Sequence, residues 1–412
     1  MSKPKLKPLF IDNLKLRNAN ANRWKIFFQV STYVGIIFLT LLLLNILNQT
    51  FGYVAISSKV DPDSLTKEGV SLEQLSKKEL ITIIQDNVSA GLLRQLQREM
   101  PLEEKSQSEV YDIVVEKVIE SEVSATWTLA DSLMNKVSIR AEAAEKYPKA
   151  DLVFYSWVKP HLLSNPQSSN PLNAGVRTAI FGSLWIVLIT VIVAFPIGVG
   201  SAIYLEEYAS NTWFNRIIQT NINNLAGVPS IIYGMLGLAI FVRTLEPITS
   251  GAIFGSVDPT TANGRTILSA GLTLALLVLP LIIINAREAI KAVPDSIRQA
   301  SYGVGATRWQ TTWSHVIPGA LRGILTGTIL AISRAMGETA PLVVIGASTY
   351  IVFDPNNIFS KFTVLPIQIY QWTTRPQPEF RNLAAGGIIV LMLILLSMNA
   401  IAIYIRNKYR KY

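Results

Sequence analysis

Apolar residues along this chain gather into six long runs set apart by polar stretches. The runs are Ile26–Leu47, Ile180–Leu205, Ile222–Phe241, Ile267–Ala286, Ile324–Ala347 and Leu383–Ile405. Each is close to the roughly 20 residues a helix needs to cross bilayer hydrocarbon. The first two hold no charge over 22 and 26 residues. The pattern predicts an all-α integral membrane protein with six transmembrane helices. Between the first two runs lies a long polar insertion, residues 50–170. There Ser76 with Glu79 and Ser106 with Glu109 are spaced as capping boxes, and Val110, Ile113, Val114 and Val118 share one helical face. The insertion is therefore expected to be helical and to end in a linker, SNPQSSNPLN. It is compatible with a partner-docking or sensing unit and with an insertion that packs only on itself.

The expected layout is a basic tail at 1–25, a first span at 26–49, the insertion and linker at 50–170, a membrane core at 171–405 and a basic tail at 406–412. Inside the core, residues 287–323 are too polar to cross a membrane. Composition agrees: of 412 residues half are apolar, and the mean hydropathy is +0.34. The net charge of +9 is unevenly spread, because residues 53–160 hold 13 Lys+Arg against 18 Asp+Glu. The basic excess thus belongs to the membrane part, where cations contact lipid headgroups, and nucleic acid is not needed to explain it. Seven cations precede the first run, which reads as an uncleaved signal anchor with a cytoplasmic N-terminus. Six spans then leave both termini cytoplasmic, and the polar segment lies on the same side. The chain has no cysteine, which excludes disulfides and thiolate chemistry.

Candidate chemistry is confined to few residues. Arg334 and Glu338 interrupt the fifth run, where an unpartnered charge costs roughly 2.5–3.5 kcal/mol. Four residues apart on a helix, they are able to pair. They are either a self-satisfied structural pair or a place where arginine meets an anion on its path, since guanidinium suits an oxyanion. Arg177, ahead of the second run, is a further anion contact or an ordinary interfacial arginine. Gly227 and Pro229 in the third run, and Gly337 and Pro341 in the fifth, are expected helix breaks. No G-x-x-x-x-G-K-[ST] phosphate loop occurs, so nucleotide chemistry needs another chain. His161 and His315 have no metal-ligand spacing, so no cofactor, metal or catalytic residue is expected on this chain.

The polar segment contains QASYGVGATRWQTTWSHVIP, residues 299–318: small residues, a glycine-permitted bend and two tryptophans, the makings of a knob for a soluble partner. It resembles the cytoplasmic EAA loop of ABC-importer permeases. Gln299-Ala300-Ser301, Gly305 and Ile317-Pro318 fall at that loop's spacing, although Gln299, Ser301, His315 and Ile317 depart from its usual residues. NNLAGVPSIIYG (223–234), GATRWQT (305–311) and RAMGETAPL (334–342) are similar to the PstA-type phosphate-uptake permeases. The resemblance covers the first span and roughly residues 171–405, not most of the insertion. It implies the type I importer fold and a permease in the cell inner membrane forming half of a phosphate pathway. It also implies a PstC-type permease partner, two ATP-binding subunits that carry ATP and Mg, and an extracytoplasmic phosphate-binding protein. Gln299, Ala300, Ser301, Gly305, Ala306, Thr307, Arg308, Ile317 and Pro318 would then form the coupling loop to the ATPase, with Arg334, Glu338 and Arg177 along the substrate path. A permease for sulfate, molybdate or phosphonate, and a membrane sensor built on residues 50–170, are the competing readings.

Overall fold

The computed structural model describes residues 14–408 except 61–63, 66–74, 90, 92, 95–100 and 256–263. The basic residues Lys3, Lys5, Lys7, Arg410 and Lys411 of the two tails lie outside the described residues, and so does the side chain of Glu109.

Among the described residues five helices are long and apolar enough to span a membrane: α1 (Leu14–Thr50), α7 (Arg177–Ile203), α11 (Ile267–Lys291), α14 (Ile317–Gly337) and α17 (Pro378–Lys408). The third apolar run is not one helix. It is α8 (Trp213–Ala226) followed by α9 (Ser230–Gly237), bent by 105° across Gly227–Pro229. Proline cannot donate the helical hydrogen bond and excludes its predecessor from helical geometry, so the chain turns there. The fifth run is also interrupted: α14 stops at Gly337, and a short helix α15 (Ala340–Ile345) restarts with Pro341 in its first turn. The runs 222–241 and 324–347 are thus each two helical segments, interrupted at Gly227–Pro229 and after Gly337.

The spans are held by close helix contact at small residues. Gly271 of α11 sits where an added Cβ would come within 2.6 Å of Ile189 on α7, and Thr190 Oγ1 donates to the Gly271 carbonyl at 3.1 Å. Around this contact Ile186, Leu274, Val278 and Ile282 form the main buried core with α9, α14 and α15. α1 is different: almost its whole apolar surface is exposed in this single chain.

Residues 50–170 are not purely helical, which corrects the expectation for the insertion. α1 runs directly into strand β1 (Phe51–Ser58), which pairs antiparallel with β2 (Ser121–Thr126) on one side and β3 (Asp151–Ser156) on the other. FGYVAISS is aromatic and β-branched enough for a strand, but its partners lie about 70 and 100 positions away, beyond any local pattern. The expected helices are present at α2 (Lys77–Asn87) and α3 (Gln107–Val114), and the Glu79 carboxylate accepts from the Ser76 amide at 2.8 Å. They close a separate small core of Leu80, Ile84, Leu102, Val110, Val114 and Val118. Helices α4 (Leu129–Met134) and α5 (Lys136–Lys146) fill the β2–β3 connection, and α6 (Pro160–Ser164) leads back to the membrane part.

The supposed linker is docked, and residue 170 is no boundary. Gln167 is buried; its Nε2 donates to the Thr349 carbonyl at 2.9 Å and its Oε1 accepts from the Ile351 amide at 3.2 Å. Val54, Trp157 and Leu162 share one core with Val176, Trp372, Phe380 and Leu383, joining the sheet to α16 (Leu365–Thr374) and α17. The sheet is therefore continuous with the bundle, and only the α2–α3 unit stands apart. Its two ends meet, since the amides of Lys59 and Val60 both donate to the Ile119 carbonyl, at 3.0 and 3.3 Å. Replacing residues 61–118 by a short glycine linker is expected to leave the thermal midpoint of the detergent-solubilised bundle unchanged. A drop of many degrees would mean that the unit supports the membrane core.

Candidate functional site

Two places concentrate the candidate residues: a knob between α11 and α14, and the broken helices α9 and α15.

The knob begins after Lys291 with α12 (Asp295–Gly303), capped by Pro294. Gly305 then adopts φ +86°, a left-handed bend that glycine enters without a Cβ penalty. The bend lets the Gly305 amide donate to Tyr302 O and the Ala306 amide to Ser301 O. Thr307 starts α13 (Arg308–Thr311) in a capping box: its amide donates to Gln310 Oε1 at 2.9 Å, and its Oγ1 accepts from the Gln310 amide. Ser301 and Thr311 are buried and share a hydrogen bond of 2.9 Å that locks α12 onto α13. A wider helical turn, Thr312–Val316, leads into Ile317 and Pro318, so the knob is continuous with α14. Gln299, Ala300, Thr307, Arg308 and Pro318 are exposed, while Ala306 and Ile317 are half-buried. Trp309 and Trp313 stack at 5.4 Å with both rings exposed, and Tyr302 and Val304 add to the same outer surface. Large aromatic side chains left in water on a rigid turn are what a partner groove buries.

Charged residues that sequence reasoning passed over hold the knob in place. The span α7 continues as a wider turn, Tyr204–Tyr208. Its Glu207 accepts from Arg298 Nε at 3.1 Å and Nη2 at 2.8 Å, while Arg298 also donates to the carbonyls of Val293 (2.6 Å) and Ile290 (3.0 Å). The two side chains are only 14% and 5% exposed. The Glu207 hydrogen bond raises the pKa of Arg298 further, against the opposing effect of burial. Beside it Arg287 pairs with Glu206 at 3.3 Å. Under both pairs Ala202, Ala286, Ile290, Val316, Ala320 and Ile324 form a cluster joining α7, α11 and α14. The available signal was two adjacent acids in YLEEY facing a strongly basic segment. A count of cations alone ignores them.

At the second place the two helix breaks come together. Gly227 caps the end of α8, Pro229 starts α9, and Tyr233 Oη donates across the gap to Leu225 O at 2.8 Å. α9 then packs on α15, where a Cβ on Gly234 would lie 2.6 Å from Pro341 Cα. Arg334 lies in the last turn of α14, three residues before Gly337, and Glu338 falls just past the helix end in extended geometry. The pair is therefore not on one helix face as expected. Its Nε–Oε1 contact is 3.3 Å, with Arg334 half exposed and Glu338 19% exposed. Arg177 is elsewhere. It pairs with Asp354 at 2.9 Å and donates to Ser164 O at 2.8 Å, fastening the start of α7, and has no contact with Arg334 or Glu338 among the described residues. Arg177 thus lies apart from the Arg334–Glu338 pair, at the start of α7.

A polytopic bundle with a structured polar knob between two spans and paired helix breaks inside it is the architecture of a membrane transport subunit. Residues 194–411 match the family of binding-protein-dependent transport system inner membrane components, and this chain belongs to that family. It is 31% identical to the probable ABC transporter permease protein YqgI of Bacillus subtilis (strain 168), across 58% of this chain and 80% of the relative. It is 30% identical to the phosphate transport system permease protein PstA of Yersinia pestis, across 58% and 76%. Among solved structures, the inward-facing MetNI methionine ABC transporter covers 57% of this chain and 95% of its own at 16% identity and a TM-score of 0.43. The chain is thus a multi-pass membrane permease subunit of an ABC importer.

Removing one partner of a buried ion pair typically costs about 3–5 kcal/mol. Arg298→Ala is accordingly expected to lower the thermal midpoint of the purified chain strongly, and Arg298→Lys less so because it keeps the charge without the fork. Equal midpoints for wild type and both variants would remove the pair from its fastening role.

Proposed function

We propose that this chain is the transmembrane permease subunit of an ATP-driven inorganic phosphate importer. It forms half of the translocation pathway beside a homologous permease of the PstC type. Two ATP-binding subunits hold ATP and Mg and carry out hydrolysis, and an extracytoplasmic phosphate-binding protein delivers substrate. The chain itself binds no cofactor. Both termini and the knob lie in the cytoplasm, as the bias of positive charge favours. The observation that carries the reading is the exposed tryptophan-bearing knob at 295–316, continuous with α14 and clamped to α7 and α11, in a chain whose relatives include named phosphate permeases.

In this reading an ATPase groove grips the knob, and nucleotide-driven closure moves it as a rigid lever. The α7 and α11 ends follow because Arg298 ties both to it and the Arg287–Glu206 pair ties them to each other. Arg334 faces the path and meets phosphate transiently. Its contact with Glu338 is long, at 3.3 Å, and the Arg334 side chain is half exposed. A pair that loose can exchange Glu338 for an oxyanion, whereas the Arg298–Glu207 pair cannot open so cheaply.

Arg334→Gln is expected to abolish uptake of labelled phosphate in cells that depend on this chain, while the complex still assembles; unchanged uptake would reduce Arg334 to packing. In wild-type cells the uptake should persist under excess sulfate and molybdate, and abolition by either would change the substrate. Gly305→Val has open space for its side chain but strains the left-handed bend by roughly 1–2 kcal/mol. It is expected to weaken copurification of the ATPase subunits, and normal retention would mean that the knob is not their dock.

A further inference from the structure

The end of α1 remote from its basic tail lies beside a second apolar surface. Helices α4 and α5 meet at Asn135. Around that joint Leu133, Met134 and Val137 are 73%, 83% and 83% exposed. Single exposed apolar residues are ordinary, but a cluster of large ones on a helical joint is a patch that an occupant covers. Its place is fixed by the chain around it. β2 runs antiparallel to β1 and returns the chain toward α1, with Val54 opposite Thr126 and the Trp127 amide donating to Tyr53 O at 2.9 Å. The Ala130 amide then donates to Asn48 Oδ1 at 2.7 Å, and Ser132 Oγ accepts from the Tyr53 amide at 2.8 Å. α4 is thereby pinned beside the last turn of α1. The two ends of the α2–α3 unit, Lys59 and Ile119, meet at the opposite end of β1.

The depth of this place follows from α1. Its uncharged run Ile26–Leu47 has 22 residues, about 33 Å of helix against ~30 Å of bilayer hydrocarbon. Its side chains are exposed all round as far as Asn45, and Ile46 is buried. Leu44, the last exposed leucine, precedes Asn48 by one helical turn, so the pinned start of α4 stands about 6 Å farther along the axis. That is the headgroup layer, where interfacial helices sink an apolar face by roughly 5–10 Å. Lys136 and Arg140 are exposed next to the patch. Their stems are able to lie along apolar surface while the charged heads reach phosphate. We propose that Leu133, Met134 and Val137 enter the interfacial layer of the leaflet at the C-terminal end of α1, with Lys136 and Arg140 at its headgroups. The occupant is lipid because the patch continues the exposed apolar surface of α1, itself a membrane span. The anchor fixes the depth at which α1 passes into β1, and with it the sheet that shares a core with α16 and α17. The inference rests on α1 spanning the membrane and not on which anion the importer carries.

The chain has no cysteine, so a single introduced thiol reports one place. Met134→Cys and Val137→Cys, made separately in the full chain, are labelled with an environment-sensitive fluorophore. They are placed in nanodiscs of phosphatidylcholine brominated either near the headgroup end of the acyl chains or near their tips. Ser58→Cys, at the far end of β1, and Leu39→Cys, within the apolar run of α1, serve as the water and hydrocarbon references. Both patch labels are expected to be quenched several-fold more strongly than the label at position 58, and more by shallow bromine than by deep. The label at position 39 should show the reverse preference for depth. Adding Leu133→Ser and Val137→Ser to Met134→Cys should remove most of its quenching, which separates an anchored patch from a fluorophore that inserts by itself. Because the three side chains are exposed, the unlabelled variants should keep the wild-type thermal midpoint in detergent. If one position fails that check, the other carries the test; a lowered midpoint at both would contradict their exposure and overturn the proposal. Quenching no stronger than at position 58, or quenching that survives the two serines, would overturn it as well. Protection of the labels only when purified partner subunits are added would assign the patch to protein instead of lipid.

Discussion

The bidentate contact between Arg298 and Glu207 is the interaction on which the membrane half of this protein depends. It joins the short helix Asp295–Gly303 to the turn that ends the second span, and through the carbonyls of Ile290 and Val293 it also grips the end of the fourth. Buried charges are expensive unless every donor is used, and here four of the guanidinium's hydrogen bonds go to partners on two segments, the turn after the second span and the end of the fourth. The polar knob is therefore a rigid extension of the spans. A load applied at Trp309 and Trp313 is passed into α7, α11 and α14 together.

Rigidity at the knob contrasts with the region around Arg334. There two spans are broken, at Gly227–Pro229 and after Gly337, and the fragments pack against each other through Gly234 and Pro341. Broken helices leave backbone groups that must find partners inside the protein, and Tyr233 supplies one by bridging its own break. The Arg334–Glu338 contact is longer and far more exposed than the Arg298–Glu207 contact. The same residue types thus stand in two states: a closed, buried pair at the knob and a longer, more open one at the helix break.

Much of this was readable from the chain alone because it follows from composition over short windows. The six apolar runs, the glycine bend at Gly305 and the disruptive prolines at 229 and 341 are local properties, and each has a counterpart in the structure. The sheet was not readable, because β1 draws its partners from residues 121–126 and 151–156, across intervening helices. Nor was the docking of SNPQSSNPLN, which composition presents as a free linker and which Gln167 fastens to the loops around Thr349 and Ile351. Glu206 and Glu207 were visible as residues but not as partners, since pairing with Arg287 and Arg298 spans more than eighty positions.

The sequence by itself determined that the chain crosses a membrane, where its polar knob lies and where its helices must break, since hydrophobic run length and the missing proline donor act within a few residues. Only the tertiary structure decided which charges pair closely and which stay more open. An ion pair's strength is set by burial and by every neighbouring donor and acceptor, and those are known only when distant segments have been brought into contact.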